Sequence, residues 1–239
     1  MNLLKNNRIK MVVFDMAGTT VEEGGLVYKT LYNTLKSFNY DIDKKEIKSW
    51  HGLNKYHVLD RYILKELDAK QCKQCKGNCF KYTSNKKKHD VYKTFESKLT
   101  SEYFHTDKLS LIDDNLPDMM NKLRENNIKV GLNTGYPKDI QQSIIDKLNM
   151  EEFIDSYVSS QDVEHARPYP FMIYKLMEMN KIASPSHVIK VGDTSNDILE
   201  GLNAGCYKSI GVLTGAETRE ELYESGANIV LDSVMDLIS

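Results

Sequence analysis

The chain runs from four consecutive apolar residues, Met11–Phe14, straight into Asp15. A short apolar run with no polar break predicts a strand buried on both faces. Ala17, Gly18, Thr19 and Thr20 then suit a tight turn. Residues 26, 27, 31, 35 and 38 are apolar, the spacing of a helix over Leu26–Phe38 that Asn39 closes. Asp43 is placed to cap a second helix from about Lys44, which pauses at His51 and Gly52 and resumes through Leu67. Asp68–Asp90 is polar and lysine-rich, and helical spacing returns over Val91–Tyr103. From Leu109 the period switches. Helices at 116–125, 138–148, 170–179, 196–203 and 218–225 alternate with short apolar strands at 129–132, 156–159, 187–191, 209–213 and 228–231.

That alternation predicts an α/β fold, a Rossmann-like parallel sheet with helices on both faces. The first strand belongs to this sheet but precedes the helical stretch. The expected organisation is therefore a core domain of residues 1–22 and 109–239, interrupted by a helical cap domain of residues 23–108. The two linkers between them are expected to act as a hinge.

Composition narrows the function classes. The 239 residues carry a formal net charge of -2, which points to no nucleic-acid or membrane partner. The first ten residues lack an apolar signal core, and no stretch approaches a membrane span. A soluble, cytoplasmic protein is expected, as a monomer or homodimer. Cys72, Cys75 and Cys79 cluster while Cys206 stands alone, which is not a secreted disulfide framework.

Chemistry-bearing residues fall at the ends of the predicted strands: Asp15 with its threonine turn, Thr134, Arg167 in a loop, and Asp193 with Asp197. Parallel strands gather their carboxyl ends at one edge, where ligands bind in such sheets. Carboxylates brought together there repel unless a divalent cation lies between them. Hard oxygen ligands suit Mg²⁺, which bridges carboxylate to substrate phosphate. Thr134 can donate to a phosphate oxygen and Arg167 can offset its charge. Asp15 can then attack phosphorus as a nucleophile.

The ordered set Asp15-Met-Ala-Gly-Thr19-Thr20, Thr134, Arg167 and Gly192-Asp193-Thr-Ser-Asn-Asp197 resembles the four motifs of the haloacid dehalogenase superfamily. The resemblance implies an aspartyl-phosphate on Asp15. It also implies Mg²⁺ held by Asp15, the Ala17 carbonyl and Asp193, with Asp197 supporting the metal. The superfamily usually places a general acid two residues after the nucleophile; here that residue is Ala17. Ala at this position resembles the phosphonatase-like branch. So do Asn133-Thr134-Gly135-Tyr136, Arg167-Pro168-Tyr169-Pro170, Ile189–Thr194 and the cap motif Gly52-Leu53-Asn54-Lys55. The resemblance implies a small phosphorylated or phosphonate substrate, with Thr19, Gly135, Tyr136 and His51 near it and Lys55 forming a Schiff base with an aldehyde. An iminium on Lys55 would draw in the electrons of a breaking C–P bond, so that no acid at position 17 is needed. The alternative is a phosphoglycolate-type phosphomonoesterase in which Lys55 anchors phosphate or is simply solvated; a relative without turnover would have lost Asp15 or Asp193.

The chain departs from the phosphonatase pattern in three places: Gly25 stands for a Cys, His51 for a Met and Val58 for a His. His51 or His57 can take over proton transfer, or either can be a packing residue. Cys72-x-x-Cys75-x-x-x-Cys79, with His89 or His105, has spacing compatible with Zn²⁺ but lacks a second Cys-x-x-Cys. Three reduced thiols are the favoured reading.

Overall fold

The computed structural model describes residues 7–69, 78–104 and 108–238, without the side chains of 65–69 and 78–85. These residues divide into two compact units. The first runs to Gly24, takes in Gly52–Asn54 and resumes at Lys108; the second comprises Gly25–His51 and Lys55–Asp107.

The first unit holds a six-stranded parallel sheet. Its strands are β1 (Met11–Phe14), β4 (Lys129–Thr134), β5 (Ser156–Ser159), β6 (Val188–Gly192), β7 (Lys208–Val212) and β8 (Ile229–Leu231), in the spatial order β5-β4-β1-β6-β7-β8. All four side chains of β1 are fully buried, as the unbroken apolar run predicts. Their burial contributes roughly 1.5–3 kcal/mol each. Chain order reverses at β1: β4 and β5 extend to one side, β6 to β8 to the other. Such a switch point is where open α/β sheets bind ligands. Between the strands lie α4 (Leu116–Glu125), α5 (Lys138–Lys147), α6 (Phe171–Met179), α7 (Ser195–Ala204) and α8 (Arg219–Glu224). Two short strands, β2 (Val21–Glu22) and β3 (Ser110–Leu111), pair antiparallel where the chain leaves and re-enters this unit. Two residues of alternating pattern carry no sequence signal, so this ribbon was not expected.

The second unit contains α1 (Leu26–Ser37), α2 (Lys55–Ala69) and α3 (Asn78–Phe104). Val91, Phe95, Leu99 and Tyr103 repeat every fourth residue along α3 and are fully buried, and α3 packs on both α1 and α2. Trp50 meets Tyr62 edge-to-face at 5.9 Å between centroids. Two expectations are corrected here. Lys44–Trp50 is a 3₁₀ helix rather than an α-helix, because only Trp50 of its seven residues is buried and no apolar stripe holds an α-turn. Asp43 does cap it, accepting from the Lys45 amide. Helix α3 begins at Asn78, well before Val91: its polar first turns contain no Pro or Gly to stop it. Cys72 and Cys75 lie outside the described residues, as does the Cys79 side chain.

Helix α7 is pressed onto the sheet at Gly201, where a Cβ would lie 1.9 Å from the Ser209 Oγ and 2.7 Å from the Lys190 Cβ. Gly201→Ala should therefore cost ~1–3 kcal/mol through overpacking, despite the better helix propensity of Ala. Urea denaturation checks this; a variant as stable as the parent would show that the helix yields freely.

Candidate active site

Strand register brings the first three groups together. Phe14 pairs with Leu132 on one side and with Val191 on the other. Asn133 and Gly192 are therefore level with Asp15, and Thr134 and Asp193 lie one residue further on. Asp15, Asp193 and Asp197 offer carboxylate oxygens within 4.8 Å of one another, and all three are buried. The turn after Asp15 is held by the Thr20 hydroxyl, which donates to the Asp15 carbonyl at 2.9 Å. Ala17, half-buried, sits on this turn. Gly18 adopts φ 79°, left-handed backbone that Gly reaches without strain.

Asp197 arrives from the first turn of α7. Thr194 caps that helix: its hydroxyl accepts from the Asp197 amide and donates to the Asp197 carboxylate at 2.6 Å. Arg167 comes from the loop between β5 and α6, and each of its guanidinium nitrogens meets a protein oxygen. Nη1 lies 2.7 Å from Asp15 and 3.1 Å from Asp197, and Nε donates to Glu200 at 3.0 Å. Nη2 donates to the Asn133 carbonyl at 2.9 Å. Lys190, fully buried on β6, donates to Asn133 Oδ1 at 2.7 Å and lies 2.9 Å from Asp197 and 3.4 Å from Glu200. Asp193 is held by neutral donors, the Thr19 hydroxyl at 3.1 Å and the Ala216 amide at 2.9 Å.

Four carboxylates and two cations make up this network, leaving two negative charges buried. Burial pushes the Asp15 carboxyl up, with Arg167 opposing. Burial, then Asp15 and Asp197, push Asp193 well above the ordinary carboxylate range. Asp197 goes the other way: burial opposes its ionisation, but Arg167 and Lys190 outweigh it and hold its carboxyl low. Arg167 stays charged because Asp197, Asp15 and Glu200 outweigh its own burial. The donor set is all hard oxygen and the excess charge is that of one divalent cation, so the residues fit Mg²⁺.

Thr134 is buried at the end of β4, and its hydroxyl accepts from the Tyr136 amide at 3.3 Å. Tyr136 is buried and its carbonyl accepts from Ser160. A Cβ on Gly135 would lie 2.3 Å from the Leu53 carbonyl oxygen, and one on Gly52 would lie 2.4 Å from the Thr194 hydroxyl. The segment Gly52–Asn54 thus packs directly on the segments that carry Thr134 and Asp193. Lys55 and His51 belong to the second unit. There the buried Lys55 ammonium lies 4.9 Å from the Tyr28 ring centroid, and His51 lies 4.4 Å from the same ring.

Asn133, Lys190 and Glu200 were not among the expected site residues. Two of them leave a trace in the sequence. Lys190 interrupts an otherwise apolar strand, Val188–Gly192, and a buried Lys demands an acid. Glu200 follows Asp197 by three positions and so shares its helix face.

Lys190→Met should strand Asp197 and Glu200 with only Arg167 between them and cost ~3–5 kcal/mol. Adding Glu200→Gln, which removes one of the stranded charges, should recover part of the loss in a double-mutant cycle. Lys190→Met unfolding at the parent's urea midpoint would contradict this account of the network.

The family model described as haloacid dehalogenase-like hydrolase matches residues 12–212. A phosphonoacetaldehyde hydrolase of Bacillus mycoides is 30% identical over 227 residues, covering 90% of this chain and 81% of that protein. One from Parabacteroides distasonis is 30% identical over 265 residues, covering 96% and 94%. The crystal structure of a phosphonoacetaldehyde hydrolase-like protein from Oleispira antarctica superposes with a TM-score of 0.75 at 23% identity, covering 99% of this chain and 92% of that one. With its acidic cluster at the switch point of a parallel sheet, the chain belongs to the haloacid dehalogenase-like hydrolases, in their phosphonatase-like branch.

Proposed function

We propose that the protein is a Mg²⁺-dependent hydrolase that cleaves the carbon–phosphorus bond of a small phosphonate aldehyde, phosphonoacetaldehyde being the substrate named for its relatives. The observation that carries this reading is Ala17. It occupies the position from which a phosphomonoesterase of this superfamily protonates its leaving oxygen, and a methyl group cannot do so. A leaving carbon needs an electron sink instead, which a lysine iminium supplies.

On this reading Lys55 condenses with the aldehyde and releases water. Asp15 attacks phosphorus, and the electron pair of the C–P bond passes into the iminium to give an enamine on Lys55. The Thr134 hydroxyl, which accepts from the Tyr136 amide, and the neighbouring Gly135 amide orient the phosphoryl oxygens. Arg167 holds Asp15 in place. Water then cleaves the aspartyl-phosphate, and protonation and hydrolysis of the enamine free Lys55. Bound Mg²⁺, held by Asp15, the Ala17 carbonyl and Asp193 with Asp197 in support, would offset the charge of the phosphoryl group. Support for Lys55 is its burial and its place as the next residue after Gly52–Asn54, whose backbone packs against Thr194 and Gly135. His51, against the same tyrosine as Lys55, is the candidate for moving protons at the amine. Zn²⁺ at the cap cysteines forms no part of this reading.

Borohydride added during turnover of phosphonoacetaldehyde should attach a stable two-carbon adduct at Lys55, seen by peptide mass spectrometry. Lys55→Arg should lose C–P cleavage, since a guanidinium cannot form the imine. Asp15→Asn should lose turnover on every substrate. Turnover of a phosphate ester that Lys55→Arg retains, with no C–P cleavage and no adduct in the parent, would move the protein to the ester-cleaving alternative; an active Asp15→Asn would remove the aspartyl-phosphate altogether.

A further inference from the structure

We infer that the loop Thr214–Glu217, between β7 and α8, is a positioning element for the acidic site, with Gly215 as the residue that sets the direction of the Asp193 carboxylate. The inference rests on the reading of Asp15, Asp193 and Asp197 as a divalent-cation site.

Three consecutive attachments carry it, and each holds a different segment of the site. The Thr214 hydroxyl donates to the Gly18 carbonyl at 2.7 Å, on the turn that follows Asp15. The Ala216 amide donates to Asp193 Oδ2 at 2.9 Å. The Glu217 carboxylate accepts from the Ser195 amide at 2.8 Å and from the Ser195 hydroxyl, at the start of α7 and two residues before Asp197. One four-residue loop thereby ties together the three segments that supply the acidic cluster.

The close fit is at Gly215. A Cβ there would lie 2.0 Å from Asp193 Oδ2 and 2.3 Å from its Cγ. On the opposite side a Cβ on Gly18 would lie 2.7 Å from the same oxygen and 2.9 Å from the Gly215 Cα. The carboxylate is therefore flanked by two glycine backbones that lean on each other. With Oδ1 taken by Thr19 and Oδ2 by Ala216, its plane is fixed from both ends. Mg²⁺ demands near-octahedral geometry and tolerates misdirected ligands poorly. Fixing this carboxylate before the ion arrives removes a reorganisation that binding would otherwise have to drive. Any side chain at position 215 must turn the carboxylate aside. None of the four motifs read from the sequence includes this loop, although the stretch Gly211–Leu222 that contains it resembles the phosphonatase-like branch.

The test is calorimetric titration of the full-length protein with Mg²⁺ alone, alongside melting in EDTA. Gly215→Ala should raise the Mg²⁺ Kd by ~10–100-fold, the usual effect of disturbing a ligand's supporting contacts, and lower the melt in EDTA, because its Cβ would also lie 2.5 Å from the Asp193 Cβ. Thr214→Val should raise the Kd several-fold. Thr218→Ala, which removes the capping box of α8 without touching the site, should lower the melt and leave the Kd unchanged, separating positioning from general weakening. Parent-like Kd values in both Gly215→Ala and Thr214→Val would overturn the inference. Should Gly215→Ala not fold, Thr214→Val decides alone, a parent-like Kd again overturning it. A parent protein that takes up no Mg²⁺ would overturn the cation-site reading itself, and this inference with it.

Discussion

The site depends on keeping Arg167 buried and charged among carboxylates. Removing an ion from water costs several kcal/mol even after relaxation. Here Asp15, Asp197 and Glu200 surround one guanidinium, with Lys190 closing the network from the neighbouring strand. Asn133 makes the arrangement possible. Its amide nitrogen donates to both Glu200 oxygens while its Oδ1 accepts from Arg167 and Lys190. One neutral side chain thus separates like charges and joins unlike ones. Every member sits on a rigid element or is tied to one, so geometry suited to chemistry is held before any substrate arrives.

This constraint explains why the site lies where it does. Parallel strands all end at one edge, and β1 stands where the strand order reverses. Asp15 leaves one strand, Asp193 the next, and α7 starts immediately afterwards, so Asp197 is carried back over the sheet. The result is a cluster whose cations balance Asp197 but leave Asp15 and Asp193 in excess. The opposite directions of their carboxyl shifts express that asymmetry.

Much of this was legible in the residue pattern. The unbroken apolar run ending in Asp15 marked a central strand, the pattern of a strand covered on both faces, whereas the run ending in Asp193 is broken by the buried Lys190. The period change at Leu109 separated helical from alternating segments. What stayed hidden depends on contacts between distant positions. Asn133 reads as an ordinary strand-end residue until Arg167, Lys190 and Glu200 are beside it, and Gly215 as an ordinary loop glycine until Asp193 is beside it. Lys44–Trp50 looked like an α-helix because charged residues favour helices locally, while the burial needed to sustain one is missing. The β2–β3 ribbon is too short for any periodicity to announce it.

The buried network lacks two positive charges, and on the function proposed above a divalent cation supplies them. Thermal melting with and without Mg²⁺, at about pH 5 and about pH 8, tests it most directly. In the metal-free protein Asp15 and Asp193 have raised carboxyl values. Their contribution to stability is present below the unfolded value and is lost as pH rises through the folded one. Asp197, held low, has the opposite sign and loses its contribution only as pH falls through its folded value. Mg²⁺ binds the ionised forms, so its stabilisation must grow with pH. At a hundredfold excess over Kd it amounts to roughly 2.7 kcal/mol, or about 5–10 °C for a chain of this size. A rise of that order is expected near pH 8 and a smaller one near pH 5. A melt indifferent to Mg²⁺ at the higher pH, or stabilised more at the lower, would contradict it.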